Sequence, residues 1–159
     1  MTTYSKRGAL LECDFNTYTP TVMPDWPSGL DQFGEFLQRQ GLSFDRRGFV
    51  PYTGDKIWQY STSKIAVRVV AERGFAWGVE IADIAGWPQE WYPASELSEL
   101  LTGNDTDGLS EGDDKIDAQI KFVEEYWLAI VDAFGSDKRK KTHTRLKLLR
   151  KQRNERRWR

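Results

Sequence analysis

Between Lys64 and Ile84 apolar and polar residues alternate with a period of two, and few folds accept that pattern. Ile65, Val67, Val69 and Ala71 interleave with Lys64, Arg68 and Glu72; Phe75, Trp77, Val79 and Ile81 interleave with Gly78 and Glu80. Successive side chains of a strand point to opposite faces. The pattern therefore predicts two strands of a sheet with one face buried and one wet. Glu72-Arg73-Gly74 joins them, with Gly74 able to take the positive φ that closes such hairpins.

The flanking stretches extend this hairpin or cover it. Residues 1–27 read as an extended N-terminal segment with one short strand near Ala9–Phe15, because Pro20, Pro24 and Pro27 exclude a helix. Ser28 is expected to cap a helix to about Gln40, with Leu30, Phe33, Phe36 and Leu37 on one face and Gly41 as its stop. Leu42–Tyr52 and Lys56–Thr62 read as strands around a Thr53-Gly54-Asp55 turn, so the simplest topology is an antiparallel meander of about four strands. Pro93 and Ser95 open a short helix ending before Gly103, with Leu97, Leu100 and Leu101 as its buried stripe. Asp113 and Asp114 precede a helix expected to run to Phe134 and end at Gly135. Its apolar residues Ile116, Ile120, Val123, Trp127, Ile130 and Phe134 are spaced 4, 3, 4, 3 and 4, a continuous seam. Burying six such side chains contributes on the order of 10 kcal/mol before entropy is subtracted. The fold class is α+β: the meander covered by helices, with a basic helical tail at 136–159, all in a single domain of 159 residues.

Composition narrows the class. With 39% hydrophobic and 30% charged residues the chain reads as a soluble globular protein. No run reaches the eighteen or so apolar residues of a spanning helix, and no signal-peptide pattern precedes Asp14. Cys13 is the only cysteine, which leaves no internal disulfide or cysteine-based zinc cluster, and a reducing cytoplasm is the default location. The net charge of −1 hides a split: residues 136–159 sum to +10 and residues 1–135 to −11, with the acidic excess between Glu80 and Glu125. Each half can attract a partner of opposite sign, or the two can neutralise each other within the fold.

Catalytic sets are easier to exclude than to find. His143, the only histidine, lies in a basic segment without an acidic neighbour in sequence, and reads as an exposed helix residue rather than a general base. Gly103, Gly108 and Gly112 are not followed by the Lys-Ser/Thr of a phosphate loop. Around Gly108, residues Asp105, Asp107, Glu111 and Asp114 fall at calcium-loop positions. Gly103 lacks the first ligand, however, and Asp114 replaces the bidentate Glu, so a solvated acidic loop is the simpler reading. Trp77 and Trp127 fit core faces, while Trp58 can face either way. Trp87, Trp91 and Tyr92 lie off the regular pattern beside Glu90, as protein-binding anchors or as a lid over the sheet edge. The basic tail is a solvated helix, a partner for the acidic region, or a phosphate-binding element; only Trp158 offers base stacking.

Gly41-Leu42 after a Phe-rich helix, the strand Ile65–Val70, Arg73-Gly74, Val79-Glu80-Ile81, and Trp91-Tyr92 before a Leu-rich helix form a familiar order. Over roughly residues 28–134 it resembles small bacterial immunity proteins of polymorphic toxin systems. The resemblance implies a cytoplasmic, non-enzymatic protein that neutralises a toxin by binding it, with no cofactor. Many such toxins are basic nucleases, which an acidic surface would suit. Asp83, Glu90, Trp91, Tyr92, Glu96 and Glu99 are then the expected partner contacts. The alternative is a nucleic-acid-associated protein acting through Lys138, Arg139, Lys140, Lys141, Arg145, Arg150 and Arg153. Neither reading calls for a metal, a membrane or a small-molecule substrate.

Overall fold

Alternation builds the centre of the sheet, and one short strand without alternation completes it. The computed structural model describes residues 26–50, 55–71, 77–85, 90–103 and 115–158. β1 (Ser43–Val50), β2 (Asp55–Ser61), β3 (Ile65–Ala71), β4 (Gly78–Asp83) and β5 (Trp91–Pro93) pair antiparallel in chain order. The class is α+β and the meander is present, with five strands among the described residues in place of the expected four or so. The added strand is β5, where Tyr92 pairs with Ile81 and Trp91 with Ala82. Three residues are too few for a period of two to show, so this segment read as irregular. The expected strand near Ala9–Phe15, the Gly74 turn, Gly54, Trp87 and the acidic loop at 104–114 lie outside the described residues.

One face of the sheet carries the core. Trp58, Val69 and Val79 stand in one cross-strand row, and Tyr60, Val67, Ile81 and Tyr92 in the next. α1 (Leu30–Arg39) packs its Leu30, Phe33 and Leu37 there. Its approach is close: a Cβ on Gly34 would stand 2.8 Å from the Tyr60 hydroxyl and 3.3 Å from the Trp58 ring. Gly41 stops α1 as expected, at φ +89°. Leu42 N–H donates to Leu37 C=O and Gly41 N–H to Gln38 C=O, the Schellman pattern. The cap at the other end differs from expectation: it is Gly29, without a side-chain hydrogen bond, and not Ser28.

The expected helix to Phe134 is two helices, α3 (Ile116–Glu125) and α4 (Trp127–Ala133), interrupted at Tyr126. The apolar seam survives the interruption, since all six of its residues are buried. Beside it Gln119 is 1% exposed, and its Oε1 accepts the Val79 N–H at 2.8 Å. β5 pairs only with Glu80 to Ala82, so the Gln119 amide takes the place of a strand partner at Val79.

The opposite face of the sheet is less wet than alternation implies. Ala66, Val70 and Ala82 are buried there as well. Arg68 lies across this face, paired with Glu80, and its guanidinium sits 4.2 Å from the Trp91 ring centroid. Large side chains lying flat over small ones shield them from water. α2 (Ala94–Thr102) follows β5 directly, and α5 (Arg139–Arg157) packs along α2. None of the described helices is long and apolar enough to cross a membrane.

Candidate functional site

α5 has little apolar surface with which to hold its place. Leu146 is fully buried and Leu149 partly so, while Leu148 faces outward. Thr142 donates to the Ala133 carbonyl at 2.5 Å and pins the start of the helix to α4. Most of the remaining contacts are made by charged side chains. Arg139, His143, Leu146, Arg150 and Arg153 are spaced 4, 3, 4 and 3, which puts them on one face of α5. Opposite that face lie Asp83 of β4, Glu90 just before β5, and Glu96 and Glu99 of α2, four of the six residues expected to contact a partner.

The pairing is residue by residue. Arg139 Nη2 donates to Asp83 Oδ1 at 2.9 Å, and its Nε lies 2.5 Å from Oδ2. Lys147 reaches Glu90 at 3.6 Å. Arg150 grips Glu96 with two N–H groups, at 3.1 and 2.9 Å, and also donates to the Trp91 carbonyl at 3.2 Å. Arg153 donates to Glu99 at 2.7 Å and to the Ser95 carbonyl at 3.1 Å, and Arg156 reaches Glu99 at 3.4 Å. Two-pronged arginine–carboxylate contacts are among the stronger ionic hydrogen bonds. Of the three readings of the tail, the one realised in the fold is pairing with the acidic region.

His143 is the largest departure from expectation. It is not an exposed helix residue: 22% of its side chain is exposed, and Nε2 lies 2.9 Å from Asp83 Oδ2. Its Nδ1 lies 2.6 Å from the Tyr92 hydroxyl, which donates to Glu90 at 2.9 Å. The carboxylate it lacks nearby in sequence is supplied by β4, sixty positions away. Burial pushes the Asp83 carboxyl up, but the hydrogen bonds from Arg139 and His143 outweigh it and hold the carboxyl below its ordinary value. At Glu90 burial again pushes the carboxyl up, and the hydrogen bond from Tyr92 and the charge of Lys147 outweigh it and hold the carboxyl below its ordinary value.

Asp83, His143 and Tyr92 line up as an acid–imidazole–hydroxyl row, the shape of a nucleophile relay. The hydroxyl is wrongly placed for that work. Tyr92 is 0% exposed, and burial together with its bond to Glu90 pushes its pKa well above that of a free tyrosine. A nucleophile needs the opposite shift and an open path to substrate. The row joins α5 to the sheet: the rings of Tyr92, Phe134 and His143 lie against one another at 5.5–6.0 Å between centroids.

Five of the six residues expected to bind a partner are thus brought together under α5 rather than in solvent, and the sixth, Trp91, is not among them. Asp83, Tyr92 and Glu96 are buried, Glu90 and Glu99 are engaged by the helix, and Trp91 stacks on Arg68 on the opposite face of the sheet. The seven basic residues of the alternative reading divide. Arg139, Arg150 and Arg153 face inward into ion pairs, and Lys138 pairs with Asp132 at the surface. Lys140, Lys141 and Arg145 face outward, with Lys151 a further member of that face, and none of these four has an ion pair among the described residues. The 4, 3, 4, 3 spacing of the inward residues is the signal from which this division was legible. Among the described residues, no group of three or more His, Cys, Asp and Glu side chains could hold a metal ion. Comparison with protein-family models, with curated proteins and with solved structures returned no match.

Proposed function

We propose that this chain is a non-enzymatic binding protein whose ligand is a nucleic-acid backbone, held by the outward face of α5. One observation carries the reading: the acidic belt neutralises the inward cations of α5 and leaves Lys140, Lys141, Arg145 and Lys151 exposed on a braced helix. The four span about 16 Å at 1.5 Å per residue, long enough to follow several phosphates. Because the helix is already ordered, binding does not have to offset the entropy of folding it.

Four phosphate contacts give a duplex salt slope of about −3 to −4, so affinity should fall about a hundred-fold between 50 and 200 mM salt. Fluorescence anisotropy of a labelled duplex and a labelled single strand tests this. Replacing Lys140, Lys141, Arg145 and Lys151 together by glutamine should abolish the signal without shifting the thermal melt. Absence of salt-sensitive binding at micromolar wild-type protein would overturn the reading.

A second reading keeps the immunity-type role. The belt is complementary to a basic helix, and α5 is the helix it holds. A basic toxin segment would have to displace α5 to reach Asp83, Glu90, Glu96 and Glu99. Binding of the adjacent gene's product that survives the four-glutamine variant and is lost in Glu96→Lys with Glu99→Lys would favour that role.

A further inference from the structure

One flank of α5, between the belt and the outward cations, is not uniformly ionic toward its end. Lys147, Lys151, Asn154 and Trp158 are spaced 4, 3 and 4, one stripe along the helix. With Arg150 and Glu155 they line a shallow open groove of about 630 Å³. Trp158 is 90% exposed, more than any other large apolar side chain among the described residues. An indole left in water at one end of a row of cations offers no contribution to the core.

We infer that this groove binds an unpaired nucleotide, so that the ligand of α5 is single-stranded nucleic acid rather than duplex; the inference rests on the polyanion reading above. Phosphates belong at the Lys147–Lys151 end, where the Lys151 ammonium stands one turn from that of Lys147, a largely exposed cation whose 3.6 Å contact with Glu90 leaves it open to a second anion. The Glu155 carboxylate repels them from the other end. There the indole presents a flat apolar face to a base, and stacking of this kind is indifferent to sequence because every base has such a face. Asn154, between the two, carries both a donor and an acceptor for a base edge or a sugar hydroxyl. A duplex keeps its base faces stacked inside, so it can use the cations but not the indole.

The test compares three probes of equal phosphate number on the full-length protein: a thymidine oligomer, the same backbone without bases, and a hairpin duplex. Trp158→Ala should weaken binding of the thymidine oligomer about ten-fold and leave the other two unchanged. Trp158→Phe, which keeps an aromatic face, should restore most of the loss. An unchanged affinity for the thymidine oligomer, or an equal loss on all three probes, would overturn the inference while leaving phosphate binding by α5 standing. If no probe binds with salt sensitivity, the polyanion reading itself fails.

Discussion

Arg150 and Glu96 are the pair at which the attachment of α5 can be measured. The Glu96 side chain is 8% exposed and that of Arg150 39%, so breaking the pair from either side has unequal consequences. In Arg150→Met a desolvated carboxylate loses both of its arginine hydrogen bonds and has little water to replace them. Orphaning a fully buried charge costs about 3–5 kcal/mol, and the residual exposure here reduces that to about 2–3 kcal/mol. In Glu96→Gln the guanidinium keeps one side-chain acceptor and the Trp91 carbonyl, and its exposed portion turns to water. That loss should be about 1 kcal/mol. Replacing both partners by apolar residues of similar volume, Glu96→Leu with Arg150→Met, removes the desolvation penalty along with the attraction and should lie within about 1 kcal/mol of wild type. Urea melts followed by circular dichroism compare the wild type with these three variants. If Arg150→Met costs no more than Glu96→Gln, or if the double variant is as unstable as the worse single one, the belt is not a desolvated seat for α5.

Trp127→Ala, at the centre of the apolar seam and 5% exposed, should cost about 3–5 kcal/mol in the same melts; a loss below about 1 kcal/mol would mean the seam does not pack on the core. Gln119→Leu deprives the buried Val79 N–H of its acceptor and should cost about 1–3 kcal/mol, with hydrogen exchange at Val79 accelerated more than at Val69. The carboxyl of Asp83 is held below its ordinary value, so its contribution to stability is complete above about pH 4 and is lost as pH falls through the depressed folded value. Asp83→Asn should therefore be less stable than wild type at pH 7 and lose less on acidification from pH 5 to 2, and thermal melts with parallel pH profiles would contradict this.

Local pattern determined much of this molecule. The alternation from Ile65 to Ala71 and from Val79 to Ile81 requires a sheet, and the 4, 3, 4, 3, 4 seam requires a helix lying on it, because both periods follow from backbone geometry alone. Gly41 ends α1 for an equally local reason, its positive φ. The same logic fails where an element is too short to display a period, as in β5, or where a seam continues across a break, as at Tyr126.

The candidate site belongs to tertiary structure. The imbalance of +10 against −11 shows that the two halves of the chain can attract each other, but charge in water has no direction and is screened within about 10 Å. Arg139 meets Asp83, Arg150 meets Glu96 and Arg153 meets Glu99 across fifty-four to fifty-six positions of sequence, and only the path of β4, β5 and α2 past α5 selects those partners. That same packing buries Tyr92 and gives His143 its carboxylate. It also divides the cations of one helix into those that hold the protein together and those left facing water. A stripe of arginines at core spacing is legible as a face, but whether the face meets solvent or carboxylates depends on what the chain brings opposite it.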